Sequence, residues 1–218
     1  MKVVTSFFII LLSFVVNCCF GQGSALLIQQ YNKGPALDNR YSKWSLLPRL
    51  ELNRFNTDRN STISEFTLGG RFGVEYRLSS TFGIESGVGY TPVSYNYIVE
   101  DSLGIDRLEY LTVPLGVKLH PTSRISVGLG ANYNFYQKGV YRIIKEGSVR
   151  IEDYPLGVFT NTLGGFLRLE YHFLWGGTVS LNYRWATRAS PPLQSQTNSS
   201  SGFQLGMAHT LWQSKLRR

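Results

Sequence analysis

Apolar and polar residues alternate with period two over most of the chain. Between Glu65 and Arg77, Phe66, Leu68, Phe72, Val74 and Tyr76 share one face, and Thr67, Gly69, Arg71, Gly73, Glu75 and Arg77 share the other. Ser79-Ser80-Thr81 makes a short turn, after which Phe82, Ile84, Val88 and Tyr90 alternate with Gly83, Glu85, Gly87, Gly89 and Thr91. The same grammar recurs from Trp44 to Asn53, from Tyr110 to Leu119, from Ile125 to Tyr136, from Thr162 to Phe173, from Val179 to Trp185 and from Phe203 to Leu211. The pattern predicts eight strands. Several are longer than the roughly five or six residues usual in soluble sheets, and they suit the about 9–11 residues of a tilted membrane strand.

Connector lengths alternate as well. The turns near 79, 121 and 175 are short, and the connections 56–64, 96–106, 137–160 and 188–200 are long. Within the third long connection, Val140–Lys145 and Ser148–Asp153 flank Glu146-Gly147 as a further hairpin would. Short turns at one end and long loops at the other are the mark of an up-and-down antiparallel barrel in an outer membrane. Such a sheet crosses hydrocarbon only if it closes on itself and turns its apolar face outward. The small, polar and charged set then points into the lumen: Arg49, Arg71, Lys118, Arg168 and Arg184 against Glu51, Glu75, Glu85 and Glu170. An eight-stranded lumen is narrow enough to be filled by its own side chains, so these nine are expected to form a buried charge network rather than line a pore. Tyr76, Tyr90, Tyr133, Tyr171, Phe173, Tyr183 and Trp185 fall on the outward phase, some near strand ends where aromatic girdles sit. Pro48, Pro92 and Pro114 lie in or near strands and must interrupt the ladder or sit at bulges.

The N-terminus carries an export pattern: Lys2, then eighteen uncharged residues from Val3 to Phe20, then the small residues before Gln22. The chain accordingly divides into a signal peptide at 1–21, a periplasmic lead-in at 22–43, a barrel at 44–213 and a basic tail at 214–218. Two alternatives stay open for the first segment, a membrane anchor and a lipid attached at Cys18 or Cys19. Those two cysteines are the whole complement, so the rest of the chain holds neither a disulfide nor a thiolate zinc site.

Charge narrows the function classes. The 218 residues hold 22 Lys and Arg against 14 Asp and Glu, a formal net charge of +8. The basic residues are dispersed among acidic ones with no block of five or six, which argues against a nucleic-acid partner. No cofactor is implied. His120, His172 and His209 offer no metal spacing and no serine sits in a nucleophile elbow. Three readings follow: a structural or interaction barrel, a narrow channel or solute carrier, and a lipid A-modifying enzyme. In the first, the partners are outer-membrane lipids and a protein at the outer loops or the periplasmic face, with Tyr141, Arg142, Lys145, Arg150 and Tyr154 as the loop residues expected to make contact.

The run Tyr110-Leu111-Thr112-Val113-Pro114-Leu115-Gly116-Val117-Lys118 resembles a stretch that recurs on a middle strand of Bacteroidetes-type outer-membrane β-barrel proteins, the group that includes PorT-like barrels. The resemblance implies an outer-membrane location and a compact barrel. For most members it implies no defined biochemical activity, and for one branch an association with assembly of a secretion and gliding apparatus.

Overall fold

The computed structural model describes residues 41–58, 61–99, 102–145, 148–155, 157–188, 199–214 and 216–217. The expected signal peptide, Cys18, Cys19 and most of the lead-in lie outside these residues. Among those described, eight long antiparallel strands form the architecture: β1 (Trp44–Thr57), β2 (Phe66–Arg77), β3 (Phe82–Val99), β4 (Ser102–Leu119), β5 (Ile125–Lys145), β6 (Thr162–His172), β7 (Gly177–Arg188) and β8 (Ser200–His209). Each pairs with the next in sequence, and β8 pairs back onto β1. The sheet is a closed up-and-down barrel.

The register fixes its geometry. Stepping from Leu46 through its successive partners Val74, Ser86, Leu115, Ala131, Gly165, Trp185 and Ser201 returns to β1 at Asn56, ten residues from the start. A shear of this size on eight strands tilts them by roughly 35–45° and leaves an interior that side chains can fill.

Burial is inverted relative to a water-soluble protein. Arg49, Glu51, Arg71, Glu75, Lys118, Arg168, Glu170 and Arg184 are buried, whereas Leu50, Leu68, Leu115 and Met207 are each more than 60% exposed. An outward belt of this extent would be an aggregation surface in water and is the lipid-facing surface of a transmembrane barrel. Aromatic pairs bound the belt. Trp44 packs on Tyr76, and Phe173 and Trp175 stack at the short-turn end; Tyr133 packs on Phe135 and Tyr183 on Phe203 toward the other. His209, on the outward phase of β8, stacks on Trp175.

The three prolines stay inside strands, each where the ladder lapses. Pairing of β8 with β1 stops at Ala208–Arg49 and resumes at Trp212–Leu46, so three residues face two across from Pro48. Pairing of β2 with β3 stops at Gly70–Tyr90, and the short strand Ile63–Ser64 rejoins β3 one register step away, beyond Pro92. The β3–β4 ladder lapses between Ser86–Leu115 and Gly89–Thr112, the interval that holds Pro114. A missing N–H costs nothing where no ladder bond is made.

The described residues of the 96–106 segment, expected as a loop, are strand: β3 runs to Val99 and β4 starts at Ser102, directly paired. Its alternation simply continues, with Tyr95 and Tyr97 inward and Ile98 outward. The 137–160 segment does contain the expected hairpin, because β5 runs to Lys145 and a return strand, Ser148–Asp153, pairs with it. At the opposite end, Tyr41–Ser42 pairs with Leu216–Arg217.

Glycine decides the fit at one interior spot. Gly116 faces Gly130 across β4 and β5, and the fully buried Phe166 ring lies over both. A Cβ on Gly130 would stand 2.3 Å from the Leu115 carbonyl oxygen and 2.8 Å from the Phe166 ring. Gly130→Val is therefore expected to lower folding stability by about 1–3 kcal/mol, read as a drop in the urea midpoint. Gly70→Ala, whose Cβ would find its nearest neighbour at 3.5 Å, should change stability by less than about 0.5 kcal/mol.

Candidate functional site

The lumen is layered along the barrel axis, and the layer nearest the short turns is ionic. Alternation on β1, β2, β3, β4 and β6 aims Arg49, Glu51, Arg71, Glu75, Glu85, Lys118, Arg168 and Glu170 at one another. Glu170 is the hub: Arg49 reaches it at 2.5 Å and Lys118 at 2.5 Å, and Ser126 donates to it at 3.0 Å. Lys118 also bridges to Glu75 at 3.0 Å, Arg168 pairs with Glu85 at 2.8 Å, and Arg71 with Glu51 at 3.2 Å. The Arg168 guanidinium lies over the Phe166 ring, giving the cation an apolar neighbour as well.

Arg184 stands one layer higher and meets neutral acceptors. It donates to Thr91 at 3.1 Å and to Asn134 at 2.8 Å, within a belt of hydroxyl and amide groups from Thr112, Thr162, Asn182 and Gln204. The nine lumen residues expected from the sequence thus occupy one interior, eight in the ionic layer and Arg184 above it.

At the short-turn end the ionic layer is closed by two histidines from the ends of β4 and β6. His120 donates from Nε2 to Glu75 at 2.6 Å, and its Nδ1 accepts from Arg77 at 3.2 Å. That pair of partners assigns the neutral Nε2–H tautomer. Burial outweighs the attraction of Glu75 and holds the His120 imidazole below its ordinary range. Ser126 Oγ lies 2.8 Å from His172 Nε2, a contact reminiscent of an activated hydroxyl. Ser126 is fully buried beneath the ion pairs, with no face open to a substrate, so the contact is structural. Among the described residues no group of three or more His, Cys, Asp or Glu is arranged to hold a metal ion.

The long-loop end is filled differently. Phe55, Val93, Tyr95, Tyr97, Leu108 and Tyr110 form an aromatic and aliphatic plug, and Val158 and Phe159 fold onto it from the segment after the return strand. The plug encloses a carboxylate: Tyr97 donates to Asp106 at 2.9 Å and Tyr154 donates to it at 2.8 Å. Burial and the Asp106 carboxylate together push the Tyr154 phenol far above its ordinary range. Tyr154 thus faces the lumen rather than solvent. Tyr141 is half-buried against the Tyr154 ring and hydrogen-bonded to Glu152, which also pairs with Arg150. Arg142, Lys145 and Arg150 are exposed. Tyr97 and Asp106 fall in the 96–106 connection that reads as a loop from sequence, and Tyr95 lies just before it. The available signal was the unbroken alternation of Tyr95 and Tyr97 with Asn96 and Ile98.

Among the described residues the lumen side chains leave small cavities of about 20 Å³, one beside Arg71 and Arg168 and one beside Arg184. A larger groove of about 550 Å³ lies at the long-loop end, lined by Glu65, Ser94, Ile105, Arg107, Glu109, Val140, Arg142 and Ile151.

Breaking the hub should cost more than trimming its rim. Glu170→Leu leaves Arg49 and Lys118 without their shared partner and is expected to destabilise the barrel by about 3–5 kcal/mol, measured by urea unfolding in detergent micelles. His120 supplies a pH test. Its folded pKa lies below the ordinary 6.5, so the unfolded chain binds the proton first as pH falls. Stability should decline from pH 7 toward pH 5, and His120→Gln should flatten that slope.

No protein-family model matches this sequence, and no curated protein matches it. Solved structures do resemble the fold. The attachment invasion locus protein Ail of Yersinia pestis aligns at 12% identity over 78% of this chain and 97% of its own, with a TM-score of 0.46. Neisserial surface protein A aligns at 15% identity over 78% of this chain and 98% of its own, with a TM-score of 0.47. OprG from Pseudomonas aeruginosa aligns at 12% identity over 79% and 95%, with a TM-score of 0.40. At this distance the likeness is one of architecture, and the assignment of a closed transmembrane barrel rests on its own register and its outward apolar belt.

Proposed function

We propose that this chain is an outer-membrane β-barrel whose lumen is a packed structural core and whose outer hairpin is a contact surface for a protein partner. The observation that carries the reading is strand length. A tilted strand needs about 9–11 residues to cross the membrane, yet β3 and β4 have 18 residues each and β5 has 21. The excess lies at the long-loop end and lifts the hairpin clear of the apolar belt. Both ends of an even-stranded barrel fall on the other side, which is the periplasmic side for an exported chain. The outer-membrane lipids are then the partners of the belt and its aromatic girdles.

Two features suit the hairpin to a protein. The return strand Ser148–Asp153 pairs with β5 on one side, and among the described residues no strand pairs with its other edge. An extended segment of a partner can add to that edge by main-chain hydrogen bonds. Beside it, the 550 Å³ groove offers Ile105, Val140 and Ile151 together with the Arg142 guanidinium, so an apolar segment with an acidic residue is the complementary occupant. The kinship with PorT-like barrels belongs to the same proposal and rests on the run Tyr110–Lys118 within β4.

Replacing residues 142–151 with Asn-Gly leaves Tyr141 and Glu152 as the closing pair of a two-residue hairpin. The variant is expected to keep the heat-dependent gel shift of a folded barrel and to lose its surface cross-links. Unchanged cross-linked partners would remove the hairpin from the proposal. Planar-bilayer recordings of the wild-type protein should stay at baseline, and a steady conductance abolished by Arg71→Ala would turn the reading to a channel.

A further inference from the structure

The ionic layer carries unspent hydrogen-bonding capacity around one small cavity. Arg71 donates from Nη2 to Glu51, but its Nε and Nη1 have no acceptor; Arg168 donates from Nη1 to Glu85, but its Nε and Nη2 have none. Both side chains are only 3% exposed. A buried charged donor left without an acceptor is among the costliest features a fold can carry. The two arginines line the same cavity of about 20 Å³, together with Arg49, Lys118, Glu75 and Glu85. That space holds one small sphere.

Charge decides what kind. The cavity lining has four cations, Arg49, Arg71, Lys118 and Arg168, and two carboxylates, Glu75 and Glu85. A water in the cavity could accept from two of the free N–H groups, but it would bring two hydrogens of its own and leave the cationic excess of the lining in place. A monatomic anion accepts from several donors at once, brings no hydrogen, and offsets the cationic excess of the cavity lining.

We propose that the cavity between Arg71 and Arg168 is a binding site for a halide-sized monovalent anion, chloride under ordinary conditions. The ion is an integral part of the lumen, captured as the barrel closes, and it satisfies the arginine donors that protein acceptors do not reach. The site is a property of the interior and does not depend on what the outer hairpin contacts.

The experiment uses wild-type full-length barrel refolded into detergent in sodium bromide and crystallised from it. Diffraction collected at the bromine absorption edge is expected to show an anomalous peak in the cavity within hydrogen-bonding reach of both guanidinium groups. Water density there without anomalous signal would overturn the proposal. In parallel, urea midpoints are measured across chloride concentrations at constant ionic strength, with gluconate, too large for the cavity, as the balancing anion. Stability should rise with chloride and saturate, and bromide should substitute for it. A flat response would count against the site. Arg71→Met should refold and lose most of the chloride dependence, and a variant that kept the full dependence would place the ion elsewhere and overturn the assignment. If Arg71→Met does not refold, Arg168→Lys, which keeps the charge but has no Nε–H aimed from a planar fork, serves the same comparison: its chloride midpoint should shift to higher concentration, and an unchanged midpoint would again overturn the assignment.

Discussion

Closure of the ladder between β8 and β1 is the constraint on which the rest of this structure depends. In hydrocarbon an unpaired N–H or C=O costs several kcal/mol, so neither strand could present a free edge there. Joining them, with a shear of ten across eight strands, sets the tilt and the bore together. Everything inside must then fit a fixed narrow tube. Phe166 fits because Gly116 and Gly130 give up their side chains beneath it. The prolines are confined to the places where the ladder lapses or slips by one residue, since only there is an N–H not owed to a neighbour.

Once the apolar side chains face lipid, the interior has to be built from what is left. It is built in three layers: ion pairs toward the short turns, hydroxyl and amide groups around Arg184, and phenols with aliphatic residues toward the long loops. The ionic layer is dense in donors. Glu170 serves Arg49, Lys118 and Ser126 at once, which leaves Arg71 and Arg168 each with two unclaimed N–H groups. Buried pairs of this sort add little net stability over an apolar filling, yet they are expensive to disrupt because a charge is stranded when its partner goes. They therefore hold register strongly: slipping a strand by one residue would turn its cations and carboxylates into lipid.

The long-loop end answers a different need. There Val158 and Phe159 pack on the tyrosines and close the tube, while Tyr154 reaches back to Asp106. The covering part of this plug, Tyr154, Val158 and Phe159, follows the hairpin directly in the chain. In the hairpin itself Arg142, Lys145 and Arg150 are exposed.

Period-two alternation determined the number of strands, their faces and the inward placement of Arg49, Glu51, Arg71, Glu75, Glu85, Lys118, Arg168, Glu170 and Arg184, because side-chain direction in a strand depends only on residue parity. It also contained the hairpin between Val140 and Asp153. Parity carries no information about which inward residues meet, since partners such as Arg49 and Glu170 lie 121 positions apart and are brought together by shear and closure. The same alternation runs on through Tyr95 and Tyr97, but Asn96, Ser102 and Gly104 read as turn residues until β3 and β4 are seen to pair through to Val99 and Ser102. The identity of each inward residue was thus a local property of the chain, whereas the ion pairs, the plug and the cavity beside Arg71 and Arg168 exist only because a closed tube forces distant residues of like parity into one space.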